Sequence, residues 1–426
     1  MIKSLFFYIR KKFFLSLIML GCYLNIPFLS ALRIYLSLFK SKKIQFKKNT
    51  KKTAIVFYKS VGIEDLESTF VNTKSKNKIL YLHRELFRKL NYFFIKKHNQ
   101  SLIEYKNSKK NSQYVIFLEN FMNWLNKFLN EFFFISFNFA YPEEFYLRDI
   151  CFKKKIPYLI MYKECIRSKG NFEYLFGKFY KNTYSLNKNI SKISVYNEMT
   201  YKNLIKNNIF KKEQIKITGM PRALYSIKKN DYNVGENITF FLISKKAGFP
   251  LKKDLLPKHL RSFDWDNLNQ EILFSLAKLS LKYPKLKFIV KGKSGALDEY
   301  SYLKEKFKNS RLNFLFGGTG HNLIKSSILV IAFNSTTVFE TILNKKKIII
   351  LYFKKYRIQK LNKFVYNFPL SLCANDSIQL TSDIENTLNS NSNKKYYENK
   401  GNHKLIYDYL GDIKRSRANI KNFLNI

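Results

Sequence analysis

The chain has 426 residues and a net charge of +47, from 77 Lys and Arg against 30 Asp and Glu; 46% of it is hydrophobic and 17% aromatic. That length exceeds one ordinary core and suits two domains with additions, while 14 Gly and 8 Pro exclude a collagen-like or linker-rich chain. The four cysteines (Cys22, Cys151, Cys165, Cys373) form no CxxC pair, and with five scattered His they offer no zinc spacing, so no metal site is expected and buried free thiols are.

The first element is the apolar run Phe13–Phe39, long enough to cross a bilayer. Asn25-Ile26-Pro27 breaks it near the middle, Arg33 lies in its second half, and basic residues flank both ends. Each half suits a helix lying in the membrane interface or a re-entrant hairpin; a single-span anchor and an extra helical layer fit as well. No cleavage site follows, so a removed signal peptide is not expected. Residues 1–50 are therefore read as a hydrophobic membrane-associating arm with a basic linker. The charge points to a polyanionic partner, or to a codon bias that enriches Lys, Asn, Ile, Phe and Tyr together. Basic residues are spread along the whole chain without a nucleic-acid motif, so the expected surface partner is anionic membrane and no nucleic acid.

Short apolar runs and amphipathic segments then alternate. Ala54–Ser60, Lys78–His83, Gln113–Leu118, the run "FFISFNFAYP", Ile156–Glu164, Lys192–Asn197 and Gln214–Gly219 read as strands. "RELFRKLNYFFIKK", "ENFMNWLNKFLNEF", "EEFYLRDICFKKK" and "EMTYKNLIKNN" read as helices. After "GMPRALYSIKKNDYNVGEN" the rhythm repeats, with strands at Ile238–Ser244, Lys287–Gly292, Leu312–Gly318, Ile328–Asn334 and "IIILYF", and helices at Leu268–Tyr283, Leu303–Lys308, "HNLIKSS" and "TTVFETILNKK". Continuous apolar strands between amphipathic helices indicate parallel sheets covered on both faces. The expected fold class is α/β, two tandem doubly wound Rossmann-like domains at 51–225 and 226–390, with a C-terminal helix of open docking at 391–426.

In such sheets ligands sit beyond the C-terminal strand ends, and the polar residues of interest fall there. Asn334, Ser335, Thr336 and Thr337 end a strand and open a helix, which suits a phosphate or diphosphate, with Glu340 one turn on to accept from hydroxyls. The same residues also fit a capping box. "LFGGTGH" places Gly318 where backbone can approach a ligand, or in a tight turn. Lys291 and Lys293 follow another strand and could neutralise phosphates, or be surface lysines. Arg222 in "TGMPRAL" offers a planar guanidinium for phosphate. Glu164 ends the strand of "YLIMYKECIRS" as a candidate general base, or as a surface ion pair with Lys163 or Arg167. Should Glu164 face outward, Glu64, Asp65 and Glu119 are the alternatives. GxGxxG, P-loop, GxSxG and HExxH motifs are absent.

The run "KITGMPR … FIVKGKSG … FLFGGTGHNLIKSSILVIAFNSTTVFETILNKKKIIIL" resembles the C-terminal half of bacterial surface-carbohydrate and capsule-biosynthesis glycosyltransferases of the two-Rossmann (GT-B) type. "IPYLIMYKEC … ISVYNEMTYKNLI … ITGMPRAL" resembles the closing part of their N-terminal domain, so the resemblance covers roughly Ile156–Phe353. It implies an acceptor domain at 51–225 and a nucleotide-sugar domain at 226–390, a nucleotide-sugar as substrate with no cofactor and no metal, donor phosphates at Ser335–Thr337, the donor's ribose or sugar at Glu340, and Glu164 as base. The acceptor would be a lipid-linked surface glycan, and the enzyme would lie at the cytoplasmic face of the inner membrane. A polyol-phosphate transferase, a nucleotide-sugar 2-epimerase, and a non-catalytic carbohydrate- or nucleic-acid-binding protein of this fold are the alternatives.

Overall fold

Seven consecutive residues of Lys52–Tyr58 form a strand whose middle five are all buried. A strand apolar without alternation needs cover on both faces, and parallel pairing between helices provides it. In the computed structural model this strand belongs to the first of two sheets. The residues described are 16, 27–41, 43–48, 50, 52–58, 62–95, 112–224, 235–243, 264–292, 297–317, 320–356, 366, 368, 373–389 and 400–425. The chain divides into two compact units. Unit 1 comprises 1–165, 176–222 and 410–426; unit 2 comprises 166–175 and 223–409.

In unit 1 the strands are β1 (Phe39–Lys40), β2 (Lys52–Tyr58), β3 (Lys78–His83), β4 (Glu131–Ser136), β5 (Tyr158–Met161), β6 (Lys192–Val195) and β7 (Ile215–Ile217), in the order β1-β3-β2-β4-β5-β6-β7. All pairs are parallel except the two-residue edge strand β1, antiparallel to β3. The expected strand at Gln113–Leu118 is instead the start of helix Ser112–Phe128. Tyr114, Phe117, Leu118, Phe121, Met122 and Leu125 are all fully buried at the three- and four-residue spacing of one helical face. Six β-favouring residues yield to a longer periodicity that buries far more apolar surface.

Part of the expected arm belongs to this unit. Helix Pro27–Leu36 begins with proline, whose missing N–H costs nothing at a first helical position, and packs on helix Ser112–Phe128 with Ala31 and Ile34 fully buried. It is a layer of unit 1 rather than a separate hydrophobic arm; Met1–Ile26, apart from Ser16, lies outside the described residues. Among the described residues no helix is long and apolar enough to cross a membrane.

The C-terminal segment is two helices, Lys400–Leu410 and Ile413–Leu424, broken at Gly411 with φ +70°. A side chain at Gly411 would collide with the Tyr196 carbonyl. Asp412 caps the second helix by accepting from the Arg415 amide at 3.1 Å. That helix closes unit 1: Ile420, Phe423 and Leu424 pack with Val56, Leu66, Ile135 and Met161.

Unit 2 carries β8 (Asn237–Phe241), β9 (Lys287–Gly292), β10 (Leu312–Phe316), β11 (Ser327–Ala332), β12 (Lys347–Leu351) and β13 (Cys373–Ala374), ordered β10-β9-β8-β11-β12-β13 and parallel throughout. Counted from β8 this is the 3-2-1-4-5-6 order of dinucleotide-binding sheets, and the chain reverses its direction of travel between β8 and β11. The crevice beyond the C-terminal ends of those two strands is where such a sheet binds ligands.

Candidate active site

β11 runs directly into that crevice. Asn334 adopts φ +40°, a left-handed conformation that asparagine tolerates better than most residues. Its buried side chain is already engaged, because Oδ1 accepts from the Tyr366 amide at 3.0 Å; the Tyr366 hydroxyl in turn donates to the Ile166 carbonyl at 3.0 Å. Asn334 thus shapes the turn and anchors Tyr366 within unit 2. The hydroxyls of Ser335 and Thr337 lie 2.9 Å apart, and Ser335 Oγ accepts from the Thr337 amide at 3.3 Å. The amides of Val338, Phe339 and Glu340 donate to the Ser335 and Thr336 carbonyls at 3.1–3.3 Å. The amides of helix Thr337–Leu343 are therefore satisfied within the first turn. What the turn presents to a ligand is the partly exposed hydroxyls of Ser335, Thr336 and Thr337, with Glu340 beside them.

Lys291 is the penultimate residue of β9 and is buried. Its ammonium donates to the Gly292 carbonyl at 2.7 Å, and among the described residues no carboxylate forms an ion pair with it. Burial alone pulls its pKa below the usual lysine value. An ammonium has three donors, and one that is buried without a counter-ion is costly. Lys291 pairs with Phe241 of β8, whose neighbour Phe240 pairs with Ile331 of β11. Two strand spacings, about 10 Å, thus separate the Lys291 backbone from β11 at the same edge. A diphosphate spans such a gap once a lysine side chain reaches toward it. Gly318 lies outside the described residues, as does Lys293; Gly317, directly before Gly318, has φ +90°.

In unit 1 the C-terminal strand ends carry paired charges. Arg84 follows β3, Tyr141, Glu143 and Glu144 follow β4, and Lys163 and Glu164 follow β5. The Arg84 guanidinium lies 3.3 Å from the centre of the Tyr141 ring and 2.6 Å from Glu143 Oε1. Tyr158 donates to Glu144 Oε2 at 2.7 Å. Burial, then the neighbouring Glu143, pushes the Glu144 pKa from 4.5 up to about 7, against the pull of Arg84, Ser136 and Tyr158. Glu164 is 40% exposed, with Lys163 Nζ at 3.9 Å from Oε1.

Arg222, expected beside the donor phosphates, is found in unit 1 against buried Asp65. Its Nη1 stands 3.4 Å from Asp65 Oδ2, its amide donates to Oδ1 at 3.3 Å, and the Tyr196 hydroxyl also donates to Oδ2. Glu119 sits on helix Ser112–Phe128 and not at a strand end; Glu64 is exposed on helix Ile63–Thr69. The structure thus gathers Asn334, Ser335, Thr336, Thr337 and Glu340 into one turn with Lys291 on the same edge, and assigns Arg222 and Glu164 to the other unit. Sequence reasoning passed over the Glu143–Glu144 pair. Its signal was two successive carboxylates after an apolar strand, with an arginine ending the strand before it. Among the described residues no group of three or more His, Cys, Asp or Glu stands close enough to hold a metal.

No family model matches the chain, and no curated protein matches it. Solved structures do. UDP-GlcNAc 2-epimerase from Neisseria meningitidis bound to UDP-GlcNAc is 13% identical with a TM-score of 0.50, over 88% of this chain and 99% of that one. A putative UDP-N-acetylglucosamine 2-epimerase from Listeria monocytogenes is 12% identical with a TM-score of 0.50, over 88% and 97%. The wall teichoic acid polymerase TagF is 12% identical over 97% and 96%, with a TM-score of 0.47. At these identities the likeness to the two epimerases speaks for architecture alone. The chain has the two-Rossmann fold that they share, one parallel sheet per unit.

Proposed function

We propose that the protein is a glycosyltransferase that moves a sugar from a nucleotide-sugar to a lipid-linked surface-glycan acceptor at the cytoplasmic face of a membrane. The observation that carries this reading is Lys291, a buried cation with no counter-ion among the described residues, at the edge where β8 and β11 open the crevice. A donor diphosphate supplies the missing charge, the hydroxyls of Ser335, Thr336 and Thr337 donate to its oxygens, and Glu340 accepts from the ribose or sugar hydroxyls. In the reaction Glu164 takes the proton of an acceptor hydroxyl. The acceptor oxygen bonds to the anomeric carbon as the bond from that carbon to the diphosphate breaks, and Lys291 stabilises the charge that develops on the leaving group.

A nucleotide-sugar 2-epimerase is the second reading, favoured by Glu144. A carboxyl titrating at about 7 can both give and take a proton near neutrality, as inversion at a sugar carbon requires.

Thermal unfolding with UDP-, GDP-, CMP- and dTDP-sugars tests both readings, because a ligand that binds the native state raises Tm. At least one nucleotide-sugar should stabilise the protein; if none does, the donor site is misassigned. Incubation with the stabilising sugar nucleotide alone then separates the two. Conversion to an epimer without acceptor identifies an epimerase; nucleoside diphosphate released only with acceptor identifies a transferase. In a transferase, Glu164→Gln should retain the donor-induced shift and lose about 100-fold in turnover.

A further inference from the structure

One corner of unit 1 carries an aromatic stack that is partly open to solvent. Where helices Pro27–Leu36 and Ser112–Phe128 meet, the Tyr35 and Phe128 rings stack at 5.0 Å. Trp124 stacks on the same Phe128 ring at 5.5 Å, with the planes 3° apart. Phe128 is 49% exposed and the adjoining Leu36 67%. Lys127 stands over Trp124 and Phe128 at 5.5 and 5.8 Å.

A single exposed hydrophobic residue is ordinary. Stacked Tyr, Phe and Trp rings beside an exposed leucine and a lysine form the mixture that suits the headgroup boundary of a bilayer. There the rings bury their apolar bodies and the ammonium reaches lipid phosphate. Two further facts select a bilayer as the occupant. Helix Pro27–Leu36 continues the chain directly from the apolar segment that begins at Phe13, and the net charge of +47 complements anionic lipid.

We infer that Tyr35, Leu36, Trp124 and Phe128, with Lys127, dock unit 1 on an anionic bilayer. The inference deepens the membrane part of the proposed function and rests on it. It also fixes an orientation for unit 1. Phe128 closely precedes β4, so the corner lies at the N-terminal edge of the sheet, opposite the edge that carries Glu164. A six-residue strand spans about 20 Å. An acceptor anchored in the same bilayer must reach past that depth, which suits a lipid-linked glycan already several sugars long.

The chain has two tryptophans, and Trp265 is buried against Phe333 at 5.8 Å. In full-length Trp265→Phe, Trp124 is the only indole. With phosphatidylcholine–phosphatidylglycerol vesicles its emission should shift to the blue and be quenched by brominated acyl chains, whereas Trp265 in the Trp124→Phe variant should not respond. Leu36→Glu, at an exposed position, should lower vesicle partitioning by about tenfold or more, the scale of losing one buried leucine. Vesicle binding with Trp124 unshifted and unquenched overturns the inference, since another segment then makes the contact. So does shielding of Trp124 that grows with protein concentration in the absence of lipid, which would mark a protein interface. The nucleotide-sugar shift measured on the same variants keeps the two readings apart. Donor binding without Trp124 insertion removes only the membrane contact, and insertion without donor binding removes only the donor site.

Discussion

The ligand edges of the two sheets treat charge in opposite ways. In unit 2 the buried cation at the edge, Lys291, bonds a backbone carbonyl and has no counter-ion among the described residues, and the turn beside it presents hydroxyls. In unit 1 two buried carboxylates meet guanidinium groups, Asp65 with Arg222 and Glu143 with Arg84, and buried Glu144 accepts from Tyr158. A charge that the protein leaves uncompensated is cheapest to keep when a ligand completes it, whereas a compensated network holds backbone and protons in place. On the proposed function, anion binding would fall to unit 2 and a rigid, proton-holding frame to unit 1.

The largest expected effect falls on the matched network. Asp65→Ala removes the buried carboxylate that meets the Arg222 guanidinium and the Tyr196 hydroxyl, and should cost about 3–5 kcal/mol in denaturant unfolding. A loss within the small range typical of exposed ion pairs would mean that unit 1's pairing is incidental. Next is the donor edge. Lys291→Met keeps the side chain's length and removes its charge, so it should weaken nucleotide-sugar affinity by about tenfold or more in titration calorimetry, as expected for a lost charge-assisted hydrogen bond. Without ligand, the same variant should be as stable as the parent or more so, because an apolar side chain replaces a buried lone cation. Unchanged affinity would erase the contrast between the edges. The last effect, read as a slope against pH, belongs to Glu144. Its folded pKa of about 7 lies above the ordinary 4.5, so the native state holds a proton that the unfolded chain releases between those values. The stabilisation is complete below about 4.5 and is lost as pH rises toward and through 7. Glu144→Gln should flatten that part of the stability–pH curve, and a slope that survives the substitution would place the titrating group elsewhere.

Much of the fold was legible. Lys78–His83 and Lys287–Gly292 read directly as strands because a continuous apolar run with polar ends carries its own signature. Gln113–Leu118 misled, since the apolar run Tyr114–Leu118 looks alike in a strand or a buried helix; only the repeat continuing to Leu125 separates them. The turn at Asn334 was legible as a strand end opening a helix. Asn334 itself was not, because its partner is the amide of Tyr366, and no local pattern marks a bond across that separation. The partner of Arg222 was hidden for the same reason: a guanidinium near a strand end reads as a phosphate ligand, and Asp65 beside it is distant in sequence.

By itself, the sequence determined that the chain builds two parallel sheets, with polar residues gathered at their C-terminal ends. Strand and helix periodicity and capping are written within a few residues of one another. The strand order that puts the β8–β11 crevice beside Ser335, the docking of Ile413–Leu424 on unit 1, and the sorting of charges into matched and unmatched were decided only by tertiary structure. Each of these depends on which distant residues share one low-dielectric environment, and pairing and burial there outweigh any local preference.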